Sequence, residues 1–342
     1  MAYTTIDKPS DYFNTKLYTG NGSTGQSITG VGFQPDWTWL KLRSTTGNHG
    51  LFDAVRGATK RLQANQTNAE DTIASFASFD SDGFTLSEAS QNNSGETFVS
   101  WNWLGANGTA SNSDGSITST VSANTTSGFS IVSYTGNGSA GATVGHGIDT
   151  PKMIIVKKRS GVSTWNVYHE AIGNTKGLYL NTTDATTTYT GFWNDTSPTS
   201  SVFTVGADNT TNSATYIAYC FAEKKGYSKF GSYTGNGNAD GRFVFCGFKP
   251  SFVMVKNVNS GVQGWLMFDD KRSTFNVANK FMVANLSQAE ASTSTHTMDF
   301  LSNGFKIRGT DGGVNGSGNT LIYMCFASSP FTTSTGIPSC AR

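Results

Sequence analysis

The hydrophobic pattern of this chain alternates with period two rather than with the three-to-four spacing of an amphipathic helix. It is clearest at residues 97–103, 215–221 and 320–326. A strand points successive side chains to opposite sides, so Val99, Trp101 and Trp103 share one face. Ile217, Tyr219 and Phe221 match them, as do Ile322, Met324 and Phe326. Ahead of each lies an apolar run ending in lysine: 37–41, 153–157 and 252–256. Such runs predict central strands, mostly buried on both faces.

A five-residue turn fixes the register of these strands. Tyr18-Thr19-Gly20-Asn21-Gly22 returns at 134–138 and at 233–237, spaced by 116 and 99 residues. That is too long for a solenoid coil and suits a small domain. Pro35, Pro151 and Pro250 follow the three tyrosines at an identical interval of 17 residues. Gly-Asn-Gly tolerates positive φ and no helical pattern follows it, so a tight turn is favoured over a phosphate-cradling loop.

The expected fold class is all-β, with three tandem antiparallel β-sandwich domains of the jelly-roll or lectin-like kind. Residues 1–105 would hold an N-terminal arm and the first repeat, and 106–122 a flexible Gly/Ser/Asn/Thr linker. Residues 123–224 and 225–328 would hold the second and third repeats, and 329–342 a C-terminal tail. The opening segment up to Phe13 reads either as an arm packing on a neighbour or as the first strand. Helical periodicity is scarce; residues 68–74 and 286–290 are read as one short helix each.

Composition agrees with a β-rich, neutral protein. Charged residues make up 14% against roughly 25% in an average soluble domain. A net charge of +1 offers no basic face for nucleic acid, since phosphate binding needs clustered Lys and Arg. The first residues lack a basic and apolar leader, and no run of about 18 apolar residues occurs, so neither secretion nor membrane insertion is expected. Cys220, Cys246, Cys325 and Cys340 show no zinc spacing, and reduced thiols are the default expectation.

Candidate chemistry is thin. Asp53, Arg56 and Lys60, echoed by Asp269, Arg272 and Lys280 and by His169-Glu170, make the strongest case for acid–base catalysis. The three copies nevertheless carry different chemistry at one place, so no enzyme is expected. Asp80-Ser81-Asp82-Gly83 resembles the start of a calcium loop but lacks the later acidic ligand, leaving a hairpin turn and no metal. No cofactor is expected. Aromatic rings can stack on sugars but at strand positions more often pack in a core. His49, Trp165 and Trp265, which recur beside the turn block, and Trp193 in its own loop are the ligand-binding candidates.

Several stretches together resemble a repeat family of tailed, mostly marine, bacteriophages. They are 3–8 with Pro9-Ser10 and Tyr12-Phe13, 128–138, Val144-Gly145-His146-Gly147 with 151–157, 228–237 and 299–305. The likeness covers nearly the whole chain. It implies a lectin-like virion structural protein made in the host bacterial cytoplasm, with no catalytic residues to carry over. The expected role is tail-associated or fibre-like, contributing to host-surface glycan attachment; the alternative is a capsid decoration or head-fibre protein, and a glycan-degrading enzyme ranks last. Expected partners are other virion proteins of tail or capsid, host surface glycans and further copies of the same chain.

Overall fold

The computed structural model describes residues 3–87 and 89–340. It is all-β, built from several antiparallel sheets, with two single-turn α-helices at Thr190–Trp193 and Gly312–Asn315 among the described residues. No helix among them is long and apolar enough to cross a membrane.

Each repeat contributes a large sheet in which four strands keep one order. These are the strand with the repeated tyrosine, the closing strand, the strand near the proline and a fourth strand. In the first repeat they are Phe13–Thr19, Thr97–Trp103, Trp37–Leu42 and Gly50–Asp53. In the second they are Phe129–Thr135, Thr215–Ala222, Pro151–Lys158 and Trp165–His169. In the third they are Ser228–Thr234, Thr320–Pro330, Phe248–Asn257 and Trp265–Asp269. A small sheet packs on each, led by Gln26–Thr29, Ala142–Gly145 or Phe243–Phe245.

The repeated turn earns its sequence from backbone crowding. The hydroxyls of Tyr18, Tyr134 and Tyr233 donate to the carbonyls of Gln91, Asn209 and Val314. A Cβ on Gly20, Gly136 or Gly235 would lie 2.2, 2.4 or 2.3 Å from a backbone oxygen. Gly22, Gly138 and Gly237 hold φ of 71°, 78° and 67°, which L side chains resist. The central asparagine folds back, accepting from the amide two residues on at Ser23, Ser139 and Asn238.

The closing strand is buried on both faces, so its sheet must be covered on both sides. The small sheet covers one. The other faces of all three large sheets meet in a single shared core. Trp103, Phe221 and Phe326 touch one another there, with ring centroids 6.4, 5.7 and 6.1 Å apart, and so mark a pseudo-threefold axis. Buried aromatics each contribute about 1.5–3 kcal/mol, so no repeat can expose this face cheaply.

Two expectations change here. Residues 106–122, expected to be flexible, carry the strand Ala110–Asn112 and the start of Ser119–Asn124, which extend the second large sheet. Asp36 pins that segment by accepting from the amides of Gly105 and Asn107. Residues 68–74 and 286–290 are not helical. Their amides bond a neighbouring repeat instead, Glu70 to the Arg159 carbonyl and Glu290 to that of Arg43, so local helix bonds never form. The opening segment does pack as an arm: Thr4 Oγ1 donates to the Lys225 carbonyl, the Tyr3 hydroxyl to that of Gly247, and Ile6 enters the shared core.

Candidate functional site

All four ligand-binding candidates are buried: His49 and Trp165 at 0%, Trp193 at 1% and Trp265 at 2% exposure. None offers a ring face to a sugar, because each is used internally. Trp193 packs edge-on against Tyr168 inside the second repeat. The other three occupy equivalent positions in the seams between repeats. Trp165 Nε1 donates to the Gln63 carbonyl of the first repeat at 3.0 Å. Trp265 Nε1 donates to the Tyr179 carbonyl of the second at 2.9 Å. His49 Nε2 meets the Val283 carbonyl of the third at 3.1 Å, its Nδ1 accepting from Trp39 Nε1. Each repeat thus reaches the one before it, and the first reaches the third. The arrangement is a closed, head-to-tail ring within one chain. Asn65, Asn181 and Asn285 support it, each side chain accepting from the backbone amide of the candidate at 49, 165 or 265.

The lysines that end the apolar runs follow the same cycle, a role their sequence did not announce. Lys41, Lys157 and Lys256 are fully buried. Their ammonium groups donate to carbonyls of the preceding repeat at Ser287, Thr67 and Thr183, at 3.3, 2.9 and 2.8 Å. Burial lowers these lysines to about 8, about 7 and about 8. Three aligned lysines after three apolar runs were the available signal.

The acid–base block is also structural. Asp53 and Arg56 form a fully buried ion pair, as do Asp269 and Arg272, each at 2.5 Å. Arg56 and Arg159 both reach Glu70, and Arg272 and Arg43 both reach Glu290. The closing strand of the next repeat in the cycle caps each carboxylate: the Tyr219 hydroxyl donates to Asp53, and Trp101 Nε1 to Asp269. Lys60 points away, donating to Thr72 Oγ1. In the third seam the matched residues are His169, Ile172, Thr186, Val258 and Met324. His169 Nε2 meets the Tyr323 carbonyl at 3.1 Å, and burial brings this histidine down to about 4.

The calcium-like carboxylates serve a hairpin: Asp82 accepts from the amides of Gly30 and Gly32, Asp80 from Ser78 and Thr85 hydroxyls. Among the described residues no group of three or more His, Cys, Asp or Glu could hold a metal. Cys246 and Cys325 are free thiols with sulfurs 3.4 Å apart in the third repeat.

What remains open to solvent differs most in the third repeat. Val277, Asn279, Thr293 and Arg308 line a surface groove of about 500 Å³. Here the chain from Asp269 to Lys280 is four residues longer than the stretches ending at Lys60 and Lys176. The added length runs beside Met298–Leu301, the Asn276 side chain bonding both backbone groups of Phe300, and leaves Phe275 78% exposed. The model of one family, DUF7483, a domain of unknown function, matches residues 8–330. This chain belongs to the DUF7483 family. No curated protein and no solved structure matches it. The matched span contains all three copies of the turn, so a single DUF7483 unit embraces the whole ring rather than one repeat.

Proposed function

We propose that this DUF7483 chain is a structural protein of a bacteriophage virion, tail-associated or fibre-like, that contributes to host-surface glycan attachment. In this reading each repeat is an antiparallel β-sandwich of jelly-roll or lectin-like kind, and assembled copies supply avidity. The observation that carries it is the closed ring: three repeats share one core and keep one scaffold while their outer faces diverge. Residues that chemistry would need are spent on holding the seams. A rigid body with variable outer surfaces suits assembly and adhesion.

Locating the chain on purified particles with antibody-labelled electron microscopy tests this. Label at the tail is expected; absence from the virion would overturn the proposal. The burial of His49, Trp165, Trp193 and Trp265 favours a second reading, a capsid decoration or head-fibre protein with a mainly structural role. Label on the head would select it.

A further inference from the structure

The outward positions of the small sheets are matched across repeats by strand pairing. Ile28, Val144 and Val244 are the buried counterparts, opposite Phe84, Phe203 and Phe305. Their outward neighbours are Ser27 and Thr29 in the first repeat and Thr143 and Gly145 in the second. In the third they are Phe243 and Phe245, exposed by 46% and 55%. Two copies thus place hydroxyls or hydrogen where the third places two phenyl rings, and no packing demand inside the sheet explains the change.

In the second repeat the corresponding edge is covered by the chain itself: Ile117 bridges Val144, and the Asn112 side chain sits where a Cβ on Gly145 would be. The third repeat has no such insertion. Its rings stand on the edge strand, about 7 Å apart for residues two apart. Phe243 is paired with Lys306, and Lys306 with Asp299, so these three project from the same face. Arg308, in the groove wall, pairs with Asp299 at 2.8 Å, and Lys306 pairs with Asp240 at 2.6 Å. The face therefore runs from two exposed rings, across ion pairs already matched within the chain, to a groove of hydroxyl, amide and guanidinium groups. Exposed Arg242 and Lys280, the latter strand-paired with Ser292 of the groove wall, add charge at its rim.

We propose that this outer face of the third repeat binds an uncharged polysaccharide, with Phe243 and Phe245 stacking on the apolar faces of successive sugar rings. The groove side chains Asn279, Thr293 and Arg308 then take sugar hydroxyls as donors and acceptors. A protein-docking face would be more apolar at its centre, and an acidic polymer would require a cluster of unpaired cations along the face, where this one carries only rim charges at Arg242 and Lys280 among the described residues. The inference rests on the attachment reading above, but fails separately, because particle location does not depend on this face.

Affinity electrophoresis through gels containing dextran, mannan or galactan, with alginate as the acidic control, tests it. The wild-type chain is expected to be retarded by at least one neutral polymer, and equally so at 50 and 500 mM salt. Phe243→Ser with Phe245→Thr, which restores the residue types of the first repeat, is expected to weaken retardation at least tenfold while keeping the melting temperature. Arg308→Gln is expected to weaken it several-fold. No retardation by any neutral polymer, retardation by alginate alone, or an undiminished effect in the double variant would overturn the proposal. So would a loss of self-association in the double variant without any polysaccharide binding by the wild type, which would mark a protein interface instead.

Discussion

The three seams share one backbone plan and are filled with two chemistries. Between the first and second repeats, and between the third and first, a buried Asp–Arg pair is capped by a Tyr or Trp and flanked by Glu and a second Arg. Between the second and third repeats, His169, Ile172, Thr186, Val258 and Met324 occupy those same places. The five positions differ together because removing one partner of a buried pair strands the other, whereas exchanging the whole set does not. What stays constant is the side-chain donor at 49, 165 or 265 and the buried lysine, both aimed at carbonyls of the preceding repeat. Closure of the ring is thus carried by apolar packing and carbonyl contacts, and the charge set is exchangeable as a unit.

The comparison breaks most visibly at Asp53. Asp53→Ala leaves the Arg56 guanidinium buried without its main partner, and a loss of about 3–5 kcal/mol in urea unfolding is expected. His169→Ala, at the matched place in the uncharged seam, is expected to cost only about 2 kcal/mol, since two neutral hydrogen bonds, to the Tyr323 carbonyl and from the Ala171 amide, and some packing are lost. Equal losses would refute the distinction.

Acid and alkali probe what the seams share. Burial pushes His49 down to about 3 and His169 to about 4, so the unfolded chain takes up protons first as pH falls below 6.5. Stability should fall across that window, by about 3 kcal/mol for each histidine at pH 4. The lysines at about 7 to 8 act in the opposite range: their charged form is disfavoured in the folded state, so stability should rise from about pH 7 toward the unfolded value of 10.5. Urea midpoints between pH 4 and 9.5 would register both slopes, and Lys157→Met should flatten the alkaline one.

Gly20→Ala, Gly136→Ala and Gly235→Ala should each cost about 2 kcal/mol or more, since each Cβ would collide with backbone in the same way. Near-equal losses would show that the repeats differ in their seams and not in their turns. The smallest change is expected from exchanging the whole set. Asp53→His, Arg56→Ile, Glu70→Thr, Arg159→Val and Tyr219→Met together should leave stability within about 1–2 kcal/mol of wild type. A collapse comparable with Asp53→Ala would show that the charged seam has no apolar equivalent.

Much of the scaffold was legible because it repeats. The turn, the prolines, the lysine-ended runs and the alternating strands fall where their spacing placed them, since each is a local pattern copied three times. The candidate site was less legible. His49, Trp165 and Trp265 stand as an aligned set in the sequence, but recurrence beside a turn looks the same for a ligand platform and for an internal contact. Phe243 and Phe245 carry no signal in the sequence, because a short alternating segment does not declare which face is outside; only the strand pairing of the three small-sheet edges places them outward.

The sequence by itself determined the period-two strands, the threefold repetition, the register and the glycine-dependent turn, because these depend on neighbours a few residues apart. Only the tertiary structure decided that the three copies close into a ring around one core, and that the apparent catalytic block is a pair of buried seams. It likewise turned the expected linker into sheet. Those outcomes depend on which carbonyl lies opposite a given Trp, His or Lys, often more than a hundred residues away. No local pattern records that choice, because it is made by the need to bury the second apolar face of each large sheet.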